Sequence, residues 1–385
     1  MKGASMNAHA QAIQGAADDL EKSAARFADT RFTIGFDGFV DEILHAVSLR
    51  RGQGDYDRIR TIGEFSARIA AAAGKSANIE MVPQQVKPGG NGPLMSMAVS
   101  GMGGKVTCIG LLGHPNRHPV FAPLAEGGPI ELISVGNPGR TDAVEFLDGK
   151  IMFGKLDTIA DANWKRLLSE VGPERLQDLV LKSDLLACTN WTMLTGMEGI
   201  LEGLIALVKE VPEQSSVRFF FDLADPEKRE RADLARALGQ IRRLNEKARC
   251  VLGLNLREAE QVGEVLGLRA KLSEDKNGLM EAAIRIAEAA GLHGVVVHAV
   301  RGAGASLGGD NAAVDGPYCP EPKLSTGAGD HFNGGFVSGL LSGLDTQGAL
   351  YAGVGTSGWY VRNARTPRRA EVIALLRDWA AGRLD

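Results

Sequence analysis

The sequence predicts an α/β fold, with a mainly parallel sheet, helices beside it and a small β excursion. Three features carry that expectation. After residue 160, short apolar runs at 185–188, 217–221, 250–254 and 295–297 alternate with helical patterns, and such alternation implies βαβ units. Residues 141–155 instead alternate apolar and polar positions across Asp148-Gly149, the pattern of a hairpin outside the main sheet. Glycine supplies 49 of 385 residues, about twice its usual share. It gathers at the ends of apolar runs, where backbone turns tightly or lies close to a ligand.

The elements follow in order. Residues 7–29 carry Ala, Ile and Leu at helical spacing among Gln, Asp, Glu and Lys. Residues 31–37 read as a buried strand that ends in glycine and a carboxylate. A helix is expected over 61–74 and an extended segment over 79–86, closed by the break Lys87-Pro-Gly-Gly-Asn-Gly-Pro93. A small-residue helix and a strand over 106–112 come next. Helical patterns then cover 162–182 and 197–210. A second hairpin is expected around Gly308-Gly-Asp-Asn311, and the last 60 residues read as three helices. The domain reading is an N-terminal helical extension over 1–30 and one large domain over 31–385, with no repeat and no low-complexity linker.

Composition narrows the function. The 43 basic and 47 acidic side chains leave a net charge of −4, which gives no electrostatic footprint for nucleic acid. No apolar run reaches the length of a membrane span. The N-terminus lacks the basic-then-apolar pattern of a secretory signal, so a cytoplasmic protein is expected. Cys108, Cys188, Cys250 and Cys319 form no CxxC pair, so a cysteine-rich zinc site is not expected. The first three sit in apolar runs and read as buried thiols.

In open parallel sheets, ligands bind beyond the carboxyl ends of the strands. The residues that follow the strands are Asp37 and Asp41; Gly89, Gly90 and Asn91; Asp222 and Asp225; Asn255 and Glu258; and His298, Arg301, Gly302 and Gly304. Acids, amides and glycines of this kind suit a hydroxylated ligand, a metal ion and a phosphate. The strongest segment is Leu324-Ser-Thr-Gly-Ala-Gly-Asp-His-Phe-Asn-Gly-Gly-Phe336. Helical periodicity runs on from Phe332, which places Gly327, Ala328 and Gly329 at a helix start. Free amides and the helix dipole make such a start an anion site. Asp330 falls in the first turn, where the dipole is expected to favour its ionised form and let it accept a substrate proton. An anion site beside a carboxylate fits phosphoryl transfer. A glycine-rich helix start with Asp330 as a plain cap is the other reading of the same residues. Asn255 and Glu258 likewise read either as oxygen groups toward a hard cation or as a helix capping box.

Ser325-Thr-Gly-Ala-Gly-Asp-His-Phe resembles the C-terminal signature of the PfkB, or ribokinase-like, carbohydrate kinases, with Leu324 in place of the leading Asp. Asn255-Leu-Arg-Glu258 resembles the family's Asn-x-x-Glu motif. Gly35-Phe-Asp-Gly-Phe-Val-Asp41 resembles its first sugar-binding segment. Gly89-Gly90 resembles the first signature, with Asn91 early and Leu94 near the usual place of an asparagine. The resemblance spans roughly residues 31–365. It implies a three-layer ribokinase-like fold, a central mostly parallel sheet flanked by helices, with a β lid near 40–60 and 141–155.

It also implies an enzyme, a Mg²⁺-dependent kinase that moves a phosphoryl group from ATP to a sugar or sugar-like alcohol. By that resemblance Asp330 is the general base and Gly327, Ala328 and Gly329 form the anion hole. Asp41, Asp37, Gly89, Gly90, Asn91 and Arg140 hold the substrate. Thr326, Arg301, Gly302 and Gly304 face the nucleotide, and Asn255 and Glu258 organise the metal through water. Closure of the lid would exclude water, and a homodimer through the lid is implied as well. A nucleoside kinase, an ADP-dependent sugar kinase and a catalytically idle sugar- or nucleotide-binding protein are the alternatives. A hydrolase is not expected, because no paired-metal or nucleophile motif occurs.

Overall fold

The strand runs come together as two sheets. The computed structural model describes residues 2–126, 128, 130–209, 218–268 and 272–384. The end of the 197–210 helical pattern and the first residue of the 217–221 run lie outside the described residues. The strands are β1 (Arg31–Gly35), β2 (Phe39–Gly52), β3 (Asp55–Arg58), β4 (Met81–Gly89), β5 (Lys105–Gly110), β6 (Ile130–Ser134) and β7 (Gly139–Glu145). They continue with β8 (Lys150–Lys155), β9 (Leu185–Cys188), β10 (Arg218–Asp222), β11 (Arg249–Asn255), β12 (Gly294–Ala299), β13 (Gly302–Leu307) and β14 (Asp310–Asp315).

The large sheet has nine strands in the order β14-β13-β12-β11-β10-β9-β1-β5-β6. From β6 to β12 the pairs are parallel, and β13 and β14 add an antiparallel hairpin at one edge. That hairpin turns at Gly308-Gly309, as expected. The strands are apolar on both faces because helices cover both. Phe219 and Phe221 point into one core and Phe220 into the other, as the two-residue period of a strand requires. Cys108, Cys188 and Cys250 are buried in these strands as free thiols.

The smaller sheet runs β3-β2-β7-β8, with β4 also on β2. The Asp148-Gly149 hairpin joins β7 to β8, where Asp142 faces Phe153 and Ala143 faces Met152. β4 departs from expectation. Its segment is expected among the main-sheet strands, but it pairs antiparallel with β2, Asp41 opposite Lys87. Gln84, Gln85 and Val86 are exposed on it, and a strand with so much solvated surface does not fit a parallel sheet covered on both faces.

Two helical patterns are broken. The 162–182 segment forms helices Trp164–Val171 and Pro173–Lys182, because Gly172 takes φ +88° and Pro173 has no amide to continue the first. The 7–29 segment forms Lys2–Lys22 and Ala24–Phe27. The first of these packs Ile13, Ala17 and Leu20 into the same core as helix Arg369–Ala380. Buried Arg369 donates to the Leu20 carbonyl at 2.7 and 2.9 Å and to the Met102 carbonyl at 3.2 Å, so one guanidinium ties the ends of two helices.

Candidate active site

The carboxyl ends of the parallel strands bring together four acids that are distant in the chain. Asp37 follows β1, Asp222 ends β10, and Glu258 lies in the first turn of the helix after β11. Asp330 lies in the first turn of helix Ala328–Leu341, which begins at this end of the sheet and runs along it until Leu340 and Leu341 stand beside Leu185 and Arg218 at the strands' amino ends. Glycines allow the close approach. A side chain at Gly334 would fall 2.5 Å from Ala98 Cβ, and one at Gly335 would fall 2.6 Å from the Ala352 carbonyl.

Asp330 is buried, with 7% of its surface exposed. Asn91 Nδ2 donates to Asp330 Oδ1 at 2.9 Å. Burial pushes the carboxyl well above the usual carboxylate range, Asp222 and Asp37 push the same way, and the Asn91 bond opposes them. The sequence expectation for Asp330 is the reverse, an ionised form favoured by the helix dipole. That dipole amounts to about half a charge at the helix end, and it loses to desolvation beside other carboxylates. Asp222 is raised for the same first reason, burial, with Glu258 adding to it. Asn333 Nδ2 donates to Asp222 at 2.7 Å, and Asn333 Oδ1 is buried without a protein partner. Acids held at such cost to their ionisation create a demand for positive charge in the cleft.

Asn255 and Glu258 make a capping box. The Glu258 amide donates to Asn255 Oδ1 at 3.0 Å, and Glu258 accepts the Asn255 amide at 2.8 Å and the Asp225 amide at 3.0 Å. Burial raises the Glu258 carboxyl while these amides lower it. Among the described residues, no group of three or more His, Cys, Asp or Glu side chains stands close enough to hold a metal ion. An acidic oxygen cluster without a full ligand set suits a hard cation that keeps most of its water.

A cavity of about 540 Å³ opens beside the first turn of helix Ala328–Leu341. Asn255, His298, Arg301, Gly302, Ala328 and Gly329 are among its lining residues, and its size is that of a small-ligand or cofactor site. Burial pushes the His298 imidazole down to about 4, so this ring is neutral near pH 7. The Arg301 guanidinium lies over the Tyr318 ring, 3.9 Å from its centre. The Ala328 amide closes a turn on the Ser325 carbonyl at 3.1 Å, and the His331 amide bonds the Gly327 carbonyl at 3.1 Å. Between them stand the amides of Gly329 and Asp330, in the part of a helix start that lacks intrahelical partners. A phosphate-bearing nucleotide fits these donors and this volume.

The end of the smaller sheet reaches Asp330 through Asn91, which follows β4 by two residues and donates to that carboxylate. Asp41 is 7% exposed, and its carboxylate sits 2.5 Å from where a Cβ at Gly89 would be. Only glycine fits there. Burial raises the Asp41 carboxyl, while the Lys87 charge and a hydrogen bond from Thr141 lower it. Asp37 behaves differently. It is wholly buried and accepts from the Asn91 amide at 2.8 Å, the Gly92 amide at 2.7 Å and Asn190 Nδ2 at 2.7 Å. Asp37 therefore staples β1 to the helix start at Asn91 and is sealed from the cleft.

The remaining expected residues separate. Gly90, at φ +99°, caps the helix that presents Asn91. Arg140 is exposed on β7. The Thr326 carbonyl accepts a hydrogen bond from Tyr360. Gly304 is not brought to the cleft: a side chain there would fall 2.2 Å from the Met280 amide, so its role is strand-to-helix packing. Thr189 and Asn190, which hold Asp37 in place, are not among the residues expected from the sequence. They follow β9 as Asp37 follows β1, so the same strand-end rule reaches them. Tyr360 carries no such signal, because it lies in helix Thr346–Asn363 and follows no strand.

Residues 8–379 match the family model described as prokaryotic ketohexokinase. A ketohexokinase of Haloferax volcanii is 29% identical over 377 residues, which is 96% of either chain. A probable sugar kinase from Rhizobium etli superposes with a TM-score of 0.63 at 16% identity, over 92% of this chain and 99% of its own. Ribokinase from Cryptococcus neoformans does so with a TM-score of 0.60 at 18% identity, over 89% and 99%. These two likenesses show the ribokinase-like fold. The fold and the enzyme class expected from the sequence, a carbohydrate kinase, are the ones found.

Proposed function

The chain belongs to the prokaryotic ketohexokinase family, and on that premise we propose that it transfers the γ-phosphoryl group of ATP to a hydroxyl of a ketohexose. The observation that carries this reading is the position of Asp330. It follows directly on Gly329, which lines the cavity at the helix start, and it accepts from Asn91, two residues beyond the Gly89 against which the Asp41 carboxylate packs. Bound ATP and Mg²⁺ would supply the transferable phosphoryl group and the charge that neutralises it and the surrounding acids.

Asp41 accepts hydrogen bonds from sugar hydroxyls at the end of the smaller sheet. Asn91 orients Asp330 through its 2.9 Å bond. Asp330 takes the proton of the attacking hydroxyl. The amides of Gly329 and Asp330 stabilise charge on the transferred group, as oriented donors do in a site closed to water. Asn255 and Glu258 face the cation through water. His298, Arg301 and Gly302 line the nucleotide side. The smaller sheet acts as a lid over the sugar. Exposed Val86, Met152 and Phe153 on it support a homodimer through the same sheet. On this reading the enzyme works in the cytoplasm, where its donor is.

The test is ADP release with ATP and Mg²⁺ across ketohexoses, aldohexoses, pentoses, sugar acids and nucleosides. Turnover is expected with a ketohexose. Preference for an aldose or a nucleoside would refute the substrate assignment, and activity with ADP alone as donor would refute ATP.

A further inference from the structure

The turn before helix Ala328–Leu341 is gripped by two aromatic side chains outside the cavity lining. The Tyr360 hydroxyl donates to the Thr326 carbonyl at 2.8 Å. His331 Nδ1 lies 2.8 Å from the Gly327 carbonyl, and His331 Nε2 lies 2.9 Å from the Thr366 hydroxyl. A carbonyl can only accept, so Nδ1 carries the proton. Burial pushes the imidazole down to about 4, so the ring is neutral near pH 7 and Nε2 accepts from Thr366. One tautomer is therefore fixed. The ring also stacks on Tyr360, with centres 3.7 Å apart and planes 18° from parallel.

This grip sets the direction of the turn. A trans peptide points its carbonyl and its amide opposite ways, so tying the Thr326 carbonyl to Tyr360 aims the Gly327 amide away from Tyr360. Gly327 takes φ +90°. Leu94 Cδ1 and Tyr360 Oη each stand 3.0 Å from where its Cβ would be. Leu94, which departs from the family's usual asparagine, thus acts as a wedge against the turn. Stacking, two carbonyl bonds and the wedge leave the turn one orientation.

We infer that His331 and Tyr360 are positioning residues that hold the 326–330 turn with its amides preset toward the phosphoryl group in transfer. The inference rests on the kinase reading above. It assigns the two side chains no contact with substrate.

The test uses His331→Ala, His331→Asn and Tyr360→Phe in the full chain. The carboxamide introduced by His331→Asn can take the place of Nδ1 and donate to the Gly327 carbonyl, so this variant serves as the rescue. Two measurements are made. In the ligand-free protein, deuterium exchange over residues 326–332 is expected to quicken in His331→Ala and Tyr360→Phe and to return near wild type in His331→Asn. In turnover, kcat is expected to fall by about 10- to 100-fold in the first two, part of the 10²–10³-fold lost with one such donor. The KM for sugar should hold, and His331→Asn should recover most of kcat. Unchanged exchange in both variants, or wild-type kcat in both, overturns the inference. So does a loss of kcat that His331→Asn repeats in full, since that would mark a packing role. A wild-type protein without sugar kinase activity would refute the kinase reading instead, and the exchange arm would still decide the grip.

Discussion

The two sides of Asp330 are built in different ways. The proposed phosphate side is one stretch of chain: Ser325 through Phe336 supplies the turn, the free amides and the acid. The proposed sugar side is assembled from β2, β4 and β7, whose residues meet through strand register, Asp41 opposite Lys87 on one edge and opposite Thr141 on the other. A contiguous site is fixed by local backbone geometry, while an assembled one depends on the pairing of remote strands. The first should lose its chemistry when one residue changes. The second should lose affinity by degrees.

The largest effect is expected on the contiguous side. Asp330→Asn should lower kcat by 10²–10⁴-fold, roughly the worth of a general base, while calorimetry shows nucleotide binding nearly intact. The same substitution should raise the thermal midpoint of the ligand-free protein at pH 7. The folded-state pKa of Asp330 is raised, so its contribution to stability is present at low pH and is lost as pH rises through that pKa. Removing the charge removes the loss. An active variant, or one with a lower midpoint, would break the assigned role.

Next comes pH. In its proposed role Asp330 acts only as a carboxylate, so kcat/KM should fall about tenfold per pH unit below its free-enzyme pKa. Burial and Asp222 place that midpoint above the ordinary carboxylate range. A profile flat down to about pH 4, the ordinary carboxylate value, would contradict this.

The assembled side should respond more mildly. Asp41→Asn removes charge from hydrogen bonds worth about 1.5–3 kcal/mol to a charged partner. The KM for sugar should rise on the order of 10- to 100-fold, with the KM for ATP held. A drop confined to kcat would place Asp41 in the chemistry and erase the contrast. The smallest effect is expected at Glu258→Gln. Glutamine keeps one acceptor for the two amides Glu258 now binds, so the magnesium concentration for half activity should rise a few-fold and the fold should weaken slightly. An unchanged magnesium curve would leave Glu258 as a helix cap alone.

The same contrast explains what the sequence shows. Asp330, its glycine turn and the Asn255–Glu258 pair are legible because each lies within one local motif. The parallel strands are legible because their apolar runs recur with helices between them. The place of β4 in the smaller sheet is not, because a polar, half-exposed strand gives no partner signal. The bond from Asn91 to Asp330 spans 239 positions, and nothing near either residue announces it. Asp37 and Asp41 look alike in sequence. Only the fold shows that Asp37 is sealed by Asn190 and two amides while Asp41 packs against Gly89 on the smaller sheet. The raised pKa of Asp330 is hidden for the same reason, since the burial that raises it, and the acids Asp222 and Asp37 that add to it, come from remote parts of the chain.

Phosphoryl transfer to a ketohexose at Asp330 is the central claim. The most direct measurement is phosphorus NMR of the wild-type protein with ATP, Mg²⁺ and fructose, beside Asp330→Asn. The predicted result is decay of the γ-phosphate signal with matching growth of ADP and of a sugar phosphomonoester, and neither change in the variant. Decay to inorganic phosphate alone, or ester formation that the variant sustains at the wild-type rate, would contradict it.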